Sequence, residues 1–148
     1  MGERTEGDSP NTSSQTDQAD SPVQAEAGRE VAEALARVQE AVIDVKAQTY
    51  SFEAANVRHE HEWRVWQNVK LPTGKMLMPG VVSHATNLVE HPQLVADRIL
   101  RYAAIAGREN VIAGTDCGLG GRVHADLAWA KLHALVEGAR LASKSLWP

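Results

Sequence analysis

The amino-acid sequence predicts an α/β fold in which short parallel strands alternate with helices. Three observations predict this class. Apolar segments alternate with amphipathic helical segments along residues 28–148. The apolar segments are short and not interleaved with polar residues, as expected for strands covered by helices on one face and filled on the other. Right-handed crossovers between such strands would make them parallel neighbours in one sheet.

Ahead of this part, residues 1–27 are predicted to form a disordered polar tail. They contain no aromatic residue and consist mostly of Ser, Thr, Gln, Gly, Pro and Ala. Such a segment cannot bury enough apolar surface to offset the entropy lost on ordering. Six of the chain's 19 acidic residues and one of its 15 basic residues lie there, which leaves residues 28–148 with a net charge near +1. This balance indicates neither nucleic-acid nor membrane binding.

Four helices are predicted, mainly from apolar residues that recur every three or four positions. The third helix has Pro92 in its first turn, where the missing N–H costs nothing, and it ends at Gly107. The predicted helices are 28–43 with the stripe Val31, Leu35, Val38 and Val42; 58–67; 91–106; and 124–143 with the stripe Ala128, Leu132, Leu135, Ala139 and Ala142.

Three strands are predicted between the helices, at about 48–53, 80–82 and 111–113. The second follows the apolar segment Met76-Leu77-Met78, which itself follows a turn at Pro72-Thr73-Gly74. A complete barrel of eight such units needs about 250 residues. Residues 28–148 are therefore predicted to form the last three to four strand–helix units of a TIM (β/α)8-type barrel, and not a closed barrel.

Three side chains with metal-binding chemistry follow the predicted strands. Glu53 follows the first strand, His84 the second and Cys117 the third. Active groups of strand–helix barrels lie just past the carboxyl ends of the strands, so these three should face the same mouth. A carboxylate, an imidazole and a thiolate suit zinc. Each also has a structural explanation: a lone Cys as a small buried apolar residue, Glu53 as a helix cap, and His84 as a hydrogen-bonded loop residue.

Two further segments look like site motifs without matching them. His59 and His61 are two residues apart and point to different faces of a helix, unlike the HExxH pair. The segment from Arg58 to Trp63 is therefore predicted to be the solvated first turn of a helix. The run Gly118-Leu119-Gly120-Gly121 lacks the Lys-Ser/Thr of the P-loop and the spacing of the dinucleotide fingerprint.

Several blocks along residues 40–147 nevertheless form a recognisable series. They are Ser51-Phe52-Glu53-Ala54-Ala55-Asn56, Arg58-His59-Glu60-His61-Glu62-Trp63, Pro79-Gly80-Val81-Val82, Gly114-Thr115-Asp116-Cys117-Gly118, Ala130-Lys131-Leu132 and Gly138-Ala139-Arg140. In this order they resemble the C-terminal catalytic domain of cobalamin-independent methionine synthase. The methionine-synthase-like branch that includes epoxyalkane:coenzyme M transferases is the most similar in character.

The resemblance implies a Zn²⁺ ion that binds a thiol substrate as its thiolate, and methyl transfer from a methyltetrahydrofolate to homocysteine or a similar thiol. Glu53 matches a zinc-binding Glu of the family, and Cys117 matches its final zinc-binding Cys. His84 lies within one residue of the family's proton-donating His, in a sequence context that differs from the family's. The family's early His-x-Cys pair has no counterpart, because Cys117 is the only cysteine.

Two ligands from a partial barrel would bind zinc weakly, and an open parallel sheet exposes its edges. We therefore expect the chain to self-associate or to pair with a protein that supplies the missing barrel units. An inactive truncated remnant or a partner-binding module is the alternative, and a zinc-dependent transferase or lyase acting on coenzyme M-like thiols is another.

The same sequence predicts a cytoplasmic location. No apolar run is long enough to span a bilayer, and the N-terminus lacks the pattern of a signal peptide. One cysteine cannot form an internal disulfide, as is usual for proteins in a reducing compartment.

Overall fold

The computed structural model describes residues 21–148 as a three-stranded sheet with four helices and two short 3₁₀ turns. This confirms the predicted α/β class, with each strand followed by a helical element. The elements are α1 Pro22–Ile43, β1 Thr49–Phe52, a 3₁₀ turn at Glu60–Glu62 that leads into α2 Trp63–Trp66, β2 Met76–Val82, α3 Pro92–Ala106, a 3₁₀ turn at Arg108–Asn110, β3 Gly114–Thr115 and α4 Ala125–Leu146.

The start of α1 corrects the predicted boundary of the tail. The helix begins at Pro22 and not at residue 28, so residues 22–27 are helical. Ser21 and Gln24 cap it reciprocally: the Gln24 side chain accepts from the Ser21 N–H at 3.1 Å, and Ser21 Oγ accepts from the Gln24 N–H at 3.4 Å. This capping box satisfies N–H groups that have no partner within the helix. The rest of the predicted tail, residues 1–20, lies outside the described residues.

The three strands are parallel and lie in the order β1-β2-β3, as predicted from the crossovers. β1 pairs with β2 from Thr49 opposite Met76 onwards. The third strand was predicted at 111–113, and this was wrong: β3 is Gly114–Thr115, and Val111 forms only an isolated bridge to Leu77. The prediction was made from the apolar residues at 111–113. Hydrogen-bonded pairing with β2 occurs instead at Gly114 and Thr115, where the chain runs alongside that strand. Over residues 21–148 the sheet has three strands and does not close into a barrel.

Two apolar clusters hold the helices against the sheet. One joins β2 to α3 and α4 and includes Val81, Val95 and Ala142. The other includes Tyr50, Trp66 and Tyr102, with Phe52 stacked on Trp66 at a ring separation of 4.8 Å. α3 contributes Val95 to the first cluster and Tyr102 to the second, so it is the element that joins them.

The buried face of α4 matches the predicted stripe in part: Ala142 is buried, and Leu135 and Ala139 pack against the core. Leu132 is 36% exposed, whereas Lys131, Ala134 and Gly138 are buried together with Ala142. α3 and α4 approach closely at Gly138, where a Cβ would lie 2.4 Å from Val95 Cγ1. This close contact requires a small residue at position 138. The burial of Lys131 is a separate feature, and hydrophobic periodicity does not predict it because lysine is not apolar.

Helix α1 lies largely outside the core. Val31 of its predicted stripe is 55% exposed, Leu35 is half-buried, and the side chains of Val38 and Val42 lie outside the described part of the structure. The following turn is attached to the sheet by the Tyr50 hydroxyl, which donates to the carbonyls of Ile43 and Val45. None of the described helices is long and apolar enough to cross a membrane.

Candidate metal site at the carboxyl ends of the strands

Glu53, His84 and Asp116 lie together at the carboxyl edge of the sheet. Each follows a different strand, and one potential ligand atom from each lies within 4.8 Å of the other two. The parallel arrangement produces this convergence, because it brings the carboxyl ends of all three strands to the same edge. Glu53 and His84 are two of the three side chains that the sequence predicted to meet here.

Asp116 is the residue that the sequence analysis missed. Its side chain is buried, and Oδ1 accepts hydrogen bonds from the N–H groups of Ala54 and Ala55 at 2.7 and 2.8 Å. Gly80 makes room for it, since a Cβ at that position would lie 2.1 Å from Asp116 Oδ1. The carboxylate is therefore held by backbone groups of the segment that follows β1. A signal for it was present, because Asp116 belongs to the same Asp-Cys-Gly turn as Cys117.

Asn56 connects the two carboxylates. Its buried side-chain amide Nδ2 donates to Glu53 Oε2 at 2.8 Å and to Asp116 Oδ2 at 3.0 Å. Its Oδ1 accepts from the N–H of Arg58 at 3.0 Å, which fixes the orientation of the amide. One neutral donor thus positions both acidic side chains.

His59 extends this arrangement towards the surface. Its Nδ1 lies 2.8 Å from Glu62 Oε1, and its Nε2 lies 3.8 Å from Glu53 Oε2. The sequence predicted a solvated helical turn here, and the His59 side chain is indeed 37% exposed. The turn nevertheless brings the His59 imidazole to 3.8 Å from the Glu53 carboxylate.

The loop that carries His84 is anchored by a buried ion pair. Lys131 Nζ lies 2.9 Å from Glu90 Oε2, and both side chains are nearly or fully buried. Glu90 Oε1 accepts from the N–H of Ser83 at 2.7 Å, and Lys131 also donates to the carbonyl of Leu88. α4 therefore sets the course of the loop from Ser83 to Glu90. Within it, Nδ1 of His84 is buried and has no hydrogen-bond partner among the described residues.

Arg98 of α3 joins strand β2 to the segment that follows β1. Its buried guanidinium donates to the carbonyls of Val81 and Ala55 at 3.0 and 3.1 Å and pairs with Glu60 at 3.0 Å. A cavity of about 360 Å³ opens beside it, bounded by Asn56 and Ser83 among other residues. Arg98 and Glu60 both line this cavity, and their opposite charges compensate each other there.

Tyr102 lies in the same apolar cluster as Trp66 and makes an edge contact with the ring of Phe52. Burial raises the pKa of its hydroxyl, and the charges of Glu62 and Asp116 raise it further, while Arg101 lowers it. The hydroxyl is buried without a hydrogen-bond partner among the described residues. Tyr102 is therefore a neutral packing residue at physiological pH.

Cys117 lies next to Asp116 in the chain but in a different environment. Its side chain is exposed, and it is not a member of the group formed by Glu53, His84 and Asp116. The alternative explanation, a small buried apolar cysteine, is thus wrong. Its predicted role as a zinc ligand stays a prediction.

Comparison with known proteins relates this fold to a solved enzyme structure. No protein-family model and no curated protein sequence matches the chain. A solved structure of a B12-independent methionine synthase from Shewanella sp. W3-18-1, in complex with selenomethionine, matches with a TM-score of 0.63 and 23% sequence identity. The two proteins share a fold. The match covers 77% of this chain but only 30% of the synthase, so this chain spans less than a third of its length.

Proposed function

We propose that this chain is part of a zinc-dependent methyltransferase of the cobalamin-independent methionine synthase type. The observation that carries the proposal is the shared fold over 77% of the chain. It is supported by the polar group at the carboxyl edge of the sheet, the edge where active groups of strand–helix barrels lie. The reaction is methyl transfer from a methyltetrahydrofolate to the thiol of homocysteine or a similar small thiol.

The side chains at this edge have donor types that zinc accepts. Carboxylate, imidazole and thiolate are its common protein ligands, and catalytic zinc sites leave one position for substrate. In the complete domain, Glu53 and Cys117 would hold the ion together with ligands from barrel units outside this chain. Bound zinc lowers the pKa of a coordinated thiol, so that the thiol is available as thiolate at neutral pH.

The other residues of the site position groups or move protons. His84 is the proton donor for the amine that leaves when the methyl group is transferred. Asn56 and the backbone N–H groups after β1 hold Glu53 and Asp116 in fixed orientations. Arg98 keeps strand β2 and the segment after β1 together while substrate enters from the open edge.

Completion by other barrel units is part of the proposal. The chain spans 30% of the synthase chain, and its described sheet has only three strands. A separate polypeptide or a second copy would supply the remaining units, and we place the assembly in the cytoplasm, where a free thiol persists. The whole protein would then act in methionine biosynthesis.

The alternative is an inactive remnant or partner-binding module. The exposure of Cys117 favours it, because a ligand of a formed zinc site is enclosed by the other ligands. A zinc-dependent transferase or lyase acting on coenzyme M-like thiols would use the same thiol activation. Substrate competition between homocysteine and coenzyme M distinguishes the two enzymatic forms.

Zinc content and thiol methylation test the proposal. Both are measured on the chain alone and on the chain co-purified with the product of its neighbouring reading frame, with methyltetrahydrofolate and homocysteine as substrates. We expect zinc and turnover only in the completed assembly, and their loss in Cys117→Ser and Glu53→Gln. Ser145→Ala, on the exposed end of α4, is the matched control. If neither preparation holds zinc and neither site variant changes anything, the proposal is wrong.

A further inference from the structure

We infer that two copies of this chain associate through the outer face of α4, with the two helices antiparallel. The sequence predicted self-association from the open edges of the sheet, whereas this contact uses the exposed surface of a helix. It goes beyond the proposed methyl transfer and does not depend on it. The residues that carry it belong to α4 alone, and none of them is a member of the candidate metal site.

The outer face of α4 carries three large apolar side chains. Trp129 is 65% exposed and Val136 is 50% exposed, and Leu132 between them is exposed as well. Steps of three and four residues place all three on one side of the helix, away from the side that buries Lys131 and Ala134. Single exposed apolar residues are common on protein surfaces, whereas a row of them along one helix marks a contact surface.

The spacing of this row fits the a and d positions of a heptad repeat. With Trp129 and Val136 at a, Leu132 and the half-buried Ala139 occupy d. In one antiparallel register Leu132 packs against Val136 of the second copy, and Trp129 packs against Ala139 of the second copy. A large side chain opposite a small one lets two such surfaces interdigitate. The face is therefore complementary in shape to a second copy of itself.

The charges beside the row are self-complementary in the same register. Asp126, His133 and Arg140 follow one another at intervals of seven residues, so they share one flank of the row. The register that pairs Leu132 with Val136 also brings Asp126 next to Arg140 of the second copy. By twofold symmetry the contact occurs twice. Both charged side chains are exposed and can reach a neighbouring helix.

The flanking charges favour the antiparallel direction over the parallel one. In a parallel pair this flank would lie against the opposite flank of the second helix, which carries Ala128 and Leu135 and no charge at those positions. The pair that Arg140 makes with Glu137 at 3.3 Å is exposed, so exchanging it for Asp126 of the second copy costs little. Charge complementarity therefore identifies a second copy of this chain as the partner.

This contact differs from the one that would complete a barrel. An interface that uses the same surface on both copies closes at two copies. It joins helices and adds no strand to the three-stranded sheet, so the dimer still lacks the remaining barrel units. A separate polypeptide that covered α4 with its own helix would compete with the second copy for this face.

Sedimentation equilibrium of the purified full chain over a range of concentrations tests the association. We expect a monomer–dimer equilibrium without larger species. Trp129→Glu should raise the dissociation constant of the dimer by at least about 30-fold, because it places a charge in the centre of the contact. Val31→Glu is the matched control, since Val31 is a similarly exposed apolar residue on α1, and it should leave the dimer unchanged. Far-ultraviolet circular dichroism checks that each variant is folded.

Charge reversal tests the antiparallel register. Asp126→Arg and Arg140→Glu each create two like-charge contacts in a homodimer, so each alone should weaken association by about 3- to 10-fold. An equal mixture of the two single variants should associate as tightly as the unchanged chain. In the mixed dimer the introduced arginine faces the introduced glutamate, and the other site keeps its native pair. A parallel dimer would show no such recovery.

The outcomes distinguish this inference from the proposed function. A folded chain that stays monomeric at its highest soluble concentration overturns the inference, as does a dimer that Trp129→Glu leaves intact or that Val31→Glu disrupts. A monomeric chain that loses its complex with the product of the neighbouring reading frame in Trp129→Glu also overturns it, and assigns the face to that product. None of these results bears on zinc or methyl transfer, which are measured separately.

Discussion

The loops of the candidate site are held by buried contacts, whereas helix α1 has mostly exposed ones. The site loops are fixed by buried charged groups, Lys131 with Glu90 and Arg98 with Glu60 and two carbonyls. α1 is a longer element, yet its described side chains are exposed or half-buried, and its Glu33–Arg37 pair lies at the surface at 3.9 Å. Regular secondary structure alone therefore does not indicate which part of this molecule is held by buried contacts. The buried ion pairs and hydrogen bonds indicate it.

The largest expected effect follows from removing Lys131. Lys131→Met should leave Glu90 buried and unpaired, which costs about 3–5 kcal/mol of unfolding free energy. Chemical denaturation of the variant measures this loss. Adding Glu90→Gln, which keeps an acceptor for the Ser83 N–H, should recover part of it. A single variant as stable as the unchanged protein would contradict the idea that this pair anchors the loop.

A smaller effect is expected at the contact between α3 and α4. Gly138→Ala places a methyl group 2.4 Å from Val95 Cγ1, so the helices must separate. Overpacking of this kind costs about 1–3 kcal/mol. The same measurement on Gly28→Ala, at a glycine of α1 with open space around it, should show no loss and a slight gain in helix propensity. Equal losses of unfolding free energy at Gly138 and Gly28 would contradict the contrast between the close α3–α4 contact and the exposed helix α1.

The buried hydroxyl of Tyr102 should make the free energy of unfolding depend on pH in the alkaline range. Its pKa is raised by burial in the folded protein, so above about pH 10 the unfolded chain releases a proton that the folded protein keeps. The free energy of unfolding should thus be unaffected by this group below that pH and fall as the pH rises beyond it. Tyr102→Phe should reduce the alkaline loss and be nearly neutral at pH 7, because the hydroxyl has no partner among the described residues. Thermal melts across the alkaline range test this.

The smallest effect is expected on the surface of α1. Arg37→Ala removes an exposed pair with Glu33 and should change the unfolding free energy by less than about 0.5 kcal/mol. Denaturation at low and high salt provides the measurement. A loss comparable to that of Lys131→Met would show that α1 is attached to the core more firmly than its exposure indicates.

Part of the site was predictable because strand ends can be located from sequence. Glu53 and His84 each follow a short apolar segment that was predicted to be a strand. Parallel strands have their carboxyl ends at one edge of the sheet, so the two side chains were expected to lie close together. The third member was predicted as Cys117, whereas the structure groups Asp116 with the other two. Cys117 was predicted because thiolate is a common zinc ligand, whereas an aspartate next to it has many structural roles. The burial of Lys131 and Arg98 was not predicted, because charged residues are normally exposed.

The sequence by itself determined the order of strands and helices, the parallel sheet and the edge on which the polar residues gather. These follow from local periodicity and from the handedness of the crossovers. Only the tertiary structure decided that Asp116 turns inward while Cys117 is exposed. The physical reason is register: neighbouring side chains at a strand end point in different directions. The irregular pairing of β3 with β2 places the N–H of Asp116 on the carbonyl of Val82 and its carboxylate over Gly80.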